Sequence, residues 1–460
     1  MIAAMETPIL NFAKQYAQNG ISRLHMPGHK GVPLLGPEPL DLTEIAGADS
    51  LYEADGIIAQ SERNAANLFG AGQTFYSAEG SSLCIRAMLR LAMQLSARRH
   101  PAILAARNVH RAFIFACALL GMDAEWIFPP HGGNSLCSCP VSADQLSRSL
   151  LAFEQSHGEL PCAVFLTTPD YLGGQQPLAA LAVVCQKYGI PLLVDNAHGA
   201  YLKFLPDANG VSAHPMNCGA SICCDSAHKT LPVLTGGAYL QLAAGLPDKI
   251  YNAARGSMAL FGSTSPSYLI LQSLDGCNAL LDGDYPAKLK DCAARVSGLR
   301  KKLMLLGCSV LQTEPLKLVL DARTVAGGGI AIAQRLREFE VECEFCDRDF
   351  VVLMFTPQNS ARDYDRIAAA FSAPMPKNVQ GIQPFPGIAP LPKAMCIRDA
   401  VFSAQETIPL TQALGRICAA PLVACPPAIP IAVSGEVLTV DAIRLFEYYG
   451  ISSVTVVSAL

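Results

Sequence analysis

Between residues 61 and 240, stretches with apolar residues at helical spacing alternate with short, unbroken apolar runs. "SERNAANLFG" predicts a helix closed by Gly70, and "SSLCIRAMLRLAMQLSARR" a helix entered from the glycine of "AEGSS". "VHRAFIFACALL" and "PLAALAVVCQKYG", the second ending at Gly189, predict two more. The runs "AILAA" (102–106), "CAVFLTT" (162–168), "PLLVD" (191–195) and "ASICCD" (220–225) predict buried strands. A strand that is apolar on both faces must be covered on both. Strands of this kind separated by helices therefore predict an α/β fold with a mainly parallel sheet.

Past residue 285 the pattern changes. A long helix is expected over 286–306, followed by "SVLQT" and "LKLVL" as strands, a helix after "AGGG", and "DFVVLMF" as a strand. These form a smaller α+β unit. A Pro/Gly-rich connector, "PMPKNVQGIQPFPGIAPLP", leads to a helical stretch and a proline-rich tail. The expected division is an N-terminal segment (1–60), a large domain (61–307), a small α+β domain (308–375) and a C-terminal domain (376–460). "AGGG" (326–329) lacks the spacing of a dinucleotide loop and reads as a helix entry.

Composition narrows the function. Half the residues are hydrophobic (51%) and 16% are charged, enough for a large core. A net charge of −4 gives no general electrostatic grip on nucleic acid. Mean hydropathy is +0.29, so a membrane span has to be considered. The longest uncharged stretch, "ICAAPLVACPPAIPIAVSG" (417–435), contains Pro421, Pro426, Pro427 and Pro430, which would break a spanning helix; extended, packed chain is expected. The N-terminus has no basic region and Glu6 falls early, so no secretory signal is expected and the protein reads as cytoplasmic. Its 17 cysteines are scattered and read as reduced, mostly buried thiols. "CEFC" (343–346) has no second pair, and "HMPGH" (25–29) has Pro and Gly between its histidines, so no metal site is expected.

Parallel α/β sheets bind ligands at the carboxyl ends of their strands. Several polar residues fall there. Asp195 ends "PLLVD", with His198 just after it; Ser226, His228 and Lys229 follow "ASICCD". "AEGSS" precedes a helix, where backbone N–H groups and the hydroxyls of Ser81 and Ser82 suit a phosphate. His110 opens the helix after "AILAARN". Taken singly, each has a structural explanation as a cap or a loop residue. Together they supply what pyridoxal 5'-phosphate needs: a lysine for the imine, a carboxylate for the pyridine nitrogen, a histidine on the ring face and hydroxyls for the phosphate.

The sequence resembles the pyridoxal-phosphate-dependent ornithine/lysine/arginine decarboxylase family, of the aminotransferase-like fold (fold type I). The stretches that carry the resemblance are "HMPGHKG" (25–31), "DLTEIAGADSLYEADGII" (41–58), "DNAHGAY" (195–201), "SAHKTLPVLTGGAYL" (226–240), "STSPSYLILQSLD" (263–275) and "PPAIPIAVSGE" (426–436). The resemblance implies Lys229 as the Schiff-base lysine, Asp195 as the pyridinium partner, His198 beside the ring and His110 stacked on it. It gives the phosphate to Gly80, Ser81, Ser82 and Ser226, with His228 alongside. It places Thr264 and Ser265 in the neighbouring subunit's site, so a homodimer or higher assembly is implied. The receiver-like N-terminal wing of the long members is not seen, which makes this a short form. The phosphate loop departs from the family pattern at Glu79, and Asp170 in "TTPDYLGG" is also unusual.

The implied reaction is decarboxylation of lysine, arginine or ornithine to the amine, a step of polyamine metabolism. The cofactor residues alone also permit an aminotransferase or another lyase on this fold, with Arg348 or Arg398 as a carboxylate clamp. A non-catalytic regulator would need none of them. The substrate's distal cation calls for a carboxylate, for which Asp49, Glu53, Asp55 and Glu79 are candidates.

Overall fold

The computed structural model describes residues 5–96, 101–379, 381–421 and 427–458. The last residues of the helix expected up to Arg99, one residue of the connector and part of the proline-rich tail lie outside these ranges. Seven strands have the character expected of a buried α/β sheet: β1 (Gln73–Ser77), β2 (Ala102–Ala106), β3 (Asp123–Ile127), β4 (Val164–Thr167), β5 (Leu192–Asp195), β6 (Ile222–Asp225) and β7 (Ala238–Leu242). The chain divides into two compact units.

The first unit comprises residues 1–101, 160–166 and 178–287. Its strands run in the order β1-β7-β6-β5-β4. β5 and β6 are parallel, whereas β7 is antiparallel to both β6 and β1. Neither β1 nor β7 stands out in the sequence, because buried polar residues interrupt their apolar runs: Thr74 on β1 donates to Gln241 on β7. The helices the pattern predicts here are present, and Pro8–Gln18, Asp248–Ala259 and Tyr268–Asp282 join them without having been expected. Ile57–Phe69 ends on Gly70, whose φ of 70° is the left-handed cap that glycine adopts most readily. Gly80–Leu95 buries Leu83, Ile85, Met88 and Leu91, and Leu178–Lys187 buries Leu178, Leu181 and Cys185.

The second unit comprises residues 102–159, 167–177 and 288–460. In it β2 and β3 pair in parallel, and the helix Arg111–Leu120 follows β2. A three-stranded antiparallel sheet has the order β8 (Lys317–Asp321), β10 (Phe350–Met354), β9 (Phe345–Cys346). A two-stranded antiparallel pair joins β11 (Gln405–Pro409) to β12 (Ser453–Val457). "SVLQT" is not a strand. It meets β8 through the bridge Val310–Leu320 alone, because the chain turns at once and Thr313 Oγ1 bonds the Lys317 carbonyl, 2.6 Å away. The described part of the proline-rich tail is packed and forms no helix, but turns and bends interrupt the extended chain expected there, and Ala428 has a left-handed φ of 58°. Ile429, Ile431, Ala432 and Val433 are buried, and Arg107 donates to the carbonyls of Pro430 and Ile431, both at 2.8 Å.

Among the described residues no helix is long and apolar enough to cross a membrane, and all 16 described cysteines are free.

Candidate active site

Two strand ends of the first unit bring the sequence candidates together. β5 delivers Asp195, and the turn after it carries His198. β6 delivers Ser226, and the short helix Ala227–Thr230 then carries His228 and Lys229. Lys229 Nζ lies 3.1 Å from His198 Nε2. Both Asp195 and His198 are buried.

Asp195 is held from its own strand and from the next. Its Oδ1 accepts the Ala197 N–H at 3.1 Å and the Cys224 thiol at 3.6 Å. Among the described residues Oδ2 receives no hydrogen bond, so one acceptor is left for a donor that the chain does not supply. Burial pushes this carboxyl above its ordinary range, and the charge of Lys229 opposes that shift. A cationic ring nitrogen would fit both facts: it donates one hydrogen bond and favours the ionised carboxylate.

The phosphate end forms at the start of the helix Gly80–Leu95. Gly80 has φ 70°, and its N–H is spent on the Gly236 carbonyl at 2.7 Å. Its part is therefore the turn rather than an amide for a ligand. Ser226 Oγ donates to Ser81 Oγ at 2.8 Å, which converges two hydroxyls from different elements. No side chain caps this helix, and the first N–H groups of a helix have no partner within it. Glu79, the anion beside them, is drawn off to another loop: its Oε1 accepts the Ser263 N–H at 2.5 Å. The site thus has the donors that an anion needs. His228 Nδ1 lies 3.0 Å from the Gly237 carbonyl, which fixes its ring.

Thr264 and Ser265 are exposed on the loop after Gly262. Gly262 itself is required, since a Cβ there would meet the Tyr52 hydroxyl at 1.8 Å. His110 belongs to the second unit, where its Nδ1 accepts the Ala112 N–H and caps the helix Arg111–Leu120. Arg348 and Arg398 have structural duties there. Arg348 donates to the Tyr448 carbonyl and to Gln383, and lies over the Tyr448 ring. Arg398 donates to the carbonyls of Ala118 and Leu119. Asp170 is structural as well: its Oδ1 takes the Gly174 N–H, and its carbonyl takes the buried Lys317 ammonium.

Of the four acidic candidates for the substrate's distal cation, two are committed. Glu79 bonds Ser263. Asp49 accepts backbone N–H groups from Ser50, Asp55, Gly56 and Ile58. Glu53 and Asp55 are exposed. Sequence reasoning left one polar residue of this region unassigned, although the strand-end rule that selects Asp195 also selects it: Asp225, the last residue of β6.

Comparison with known proteins decides the family. Residues 7–324 match the Orn/Lys/Arg decarboxylase major domain, and residues 378–454 match the C-terminal domain of the same enzymes. The chain belongs to the Orn/Lys/Arg decarboxylase family. It is accordingly an enzyme that decarboxylates basic amino acids, in a family that implies pyridoxal phosphate dependence. It is 29% identical over 466 residues to the arginine decarboxylase of Bacillus subtilis (strain 168), covering 95% of this chain and 92% of that protein. It is 27% identical over 464 residues to the arginine decarboxylase of Halalkalibacterium halodurans, covering 94% and 91%. Among solved structures, the constitutive lysine decarboxylase of E. coli superposes with a TM-score of 0.78 at 16% identity, over 98% of this chain and 82% of that one. The serine palmitoyltransferase of Sphingomonas wittichii superposes at 0.54 and 15% identity, over 80% and 83%. These two likenesses show the fold: an aminotransferase-like large domain with smaller α+β parts.

Proposed function

We propose that this decarboxylase carries pyridoxal 5'-phosphate on Lys229 and acts on arginine, releasing CO2 and agmatine, with lysine and ornithine as alternative substrates. The observation that carries the reading is Lys229 against His198, beside a buried Asp195 whose Oδ2 lacks a described donor. Arginine is put first because curated relatives spanning nearly the whole chain are arginine decarboxylases.

When bound, pyridoxal phosphate supplies the electron sink for the pair left on the substrate's α-carbon as CO2 departs. The chain's residues do the rest. Lys229 Nζ is the anchor. Asp195 Oδ2 accepts the N–H of the ring nitrogen, and its buried charge keeps that nitrogen protonated. Ser81, Ser82 and Ser226, with the free N–H groups of the helix start, hold the phosphate over the turn at Gly80; His228 steadies this end. The ring-stacking role of His110 is assigned by the family resemblance alone. Lys229 Nζ and His198 Nε2 hold between them the proton that returns to the α-carbon. Glu53 or Asp55, the uncommitted acids, pair with the distal cation. Thr264 and Ser265 complete the site of a neighbouring subunit in a cytoplasmic homodimer.

The test pairs chemistry with mapping. Arginine, lysine and ornithine are each supplied with cofactor; CO2 and amine are quantified, and 2-oxo acid is assayed with an added acceptor. Equal amounts of CO2 and agmatine from arginine are expected, with borohydride-fixed label on Lys229. Label on another lysine overturns the anchor. Faster turnover of lysine or ornithine overturns the substrate, and 2-oxo acid without CO2 overturns the reaction.

A further inference from the structure

A second carboxylate stands one strand over from Asp195. Asp225 ends β6 as Asp195 ends β5, and it is fully buried. The two strands pair with Asp195 opposite Cys224. The backbone ladder closes with Asn196 N–H on the Cys224 carbonyl at 3.0 Å. One residue further on, the pairing passes to side chains: Asn196 Nδ2 donates to Asp225 Oδ1 at 2.5 Å. Two more donors complete the carboxylate. His214 Nε2 lies 3.1 and 3.2 Å from its two oxygens, and Gln241 Nε2 lies 3.3 Å from Oδ2. His214 Nδ1 accepts the Met216 N–H, so the ring's proton sits on Nε2 and faces the carboxylate. Asn196, His214, Asp225 and Gln241 are all 0% exposed.

Proximity alone would admit a metal, since ligand atoms of His214, Cys223 and Asp225 lie within 4.8 Å of one another. The bonding argues otherwise. Both carboxylate oxygens and His214 Nε2 are already engaged, and burial together with the Asp225 charge keeps the Cys223 thiol protonated. This is a hydrogen-bonded network, and its position suggests its use.

We infer that Asp225 is a positioning residue for the cofactor site, fixing the chain at Asp195 through Asn196 and fixing Ser226 through its own peptide. Asn196 sits between Asp195 and Ala197, and the Ala197 N–H sets the direction of the Asp195 carboxylate. Past the last ladder bond, the Asn196–Asp225 tether limits rotation of that turn, and with it the aim of Oδ2. Ser226 follows Asp225 directly and meets Ser81. One buried carboxylate thereby couples the ring-nitrogen end of the site to its phosphate end. The inference rests on the proposed cofactor role of Asp195 and Ser226.

Asn196→Ala and Asp225→Asn in the full chain test it. Cofactor is removed and returned; equilibrium dialysis gives its Kd, and absorbance against pH gives the protonation midpoint of the bound form. In at least one folded variant, a Kd raised about ten- to a hundredfold is expected, as for misplacement of a contact by a fraction of an ångström. The midpoint should move, and kcat should fall with KM nearly kept. Both variants folding with wild-type Kd and midpoint would overturn the inference. Failure of both to fold would make Asp225 a core group and overturn it as well. Wild-type protein that takes up no cofactor would instead overturn the reading of the Lys229 site.

Discussion

Asp49 has a left-handed φ of 67° and turns its carboxylate onto the N–H groups that open the helix Ile57–Phe69. Asp tolerates that backbone better than most residues, and an anion at a helix start satisfies donors that have no partner within the helix. Its acidity is therefore used in folding and is not offered to a substrate. Asp49→Ala should cost about 2–3 kcal/mol, the scale of a lost cap made of charge-assisted bonds. Thermal melting should show the loss, while KM for the amino acid stays unchanged; a raised KM with unaltered melting would return Asp49 to the substrate site. This residue marks where the sequence stops being readable. Position in the chain selected Lys229 and Asp195, because strand ends follow from hydrophobic runs. Four nearby acids could not be ranked, because which donors an acid meets depends on turns that leave no periodic trace. Glu79 is the same case: its pull toward Ser263 comes from a loop far along the chain.

Helices pack in the first unit through buried polar contacts that can be titrated. Asp275, on the helix Tyr268–Asp282, accepts the Leu10 N–H of the helix Pro8–Gln18 and the Ser61 hydroxyl of the helix Ile57–Phe69. Burial pushes its carboxyl up to about 6 from the ordinary 3.8. Between those two values the folded chain holds a proton that the unfolded chain has released. This group therefore favours folding below the window, and that contribution is lost as pH rises through 6. Asp275→Asn removes the dependence. Compared with the variant, the wild type should lose on the order of 2–3 kcal/mol between pH 4 and pH 7, read from urea unfolding of cofactor-free protein at a series of pH values. A constant difference across that range would mean the carboxyl titrates normally. At this scale the sequence was largely legible. Runs such as "AILAA" and "PLLVD" are strands because nothing polar interrupts them. β7 was missed because Gln241 interrupts its apolar run, and Gln241 is there to reach Thr74 and Asp225.

For the whole molecule, the family was legible because its motifs are spread from residue 25 to residue 436, and it is the resemblance alone, with no periodic pattern behind it, that assigns the loop at 263–265 to a neighbouring subunit's site. Mixing Lys229→Ala protein with a Thr264→Ala/Ser265→Ala double variant tests that use. If the loop acts across subunits, each parent should be inactive and the mixture should regain part of the activity through heterodimers holding one intact site. No recovery despite demonstrated subunit exchange would confine each site to one chain. The distribution of thiols has a separate consequence. Among the described residues 11 cysteines are buried, from Cys84 in the helix Gly80–Leu95 to Cys418 in the second unit, and burial shuts them off from reagents in solution while it pushes the Cys84 and Cys418 thiols above the ordinary range. An alkylating reagent can reach each of them only when the segment around it opens. Mass spectrometry of the labelled peptides over time would then rank the elements by their opening free energy, with native residues as the reporters and no probe introduced.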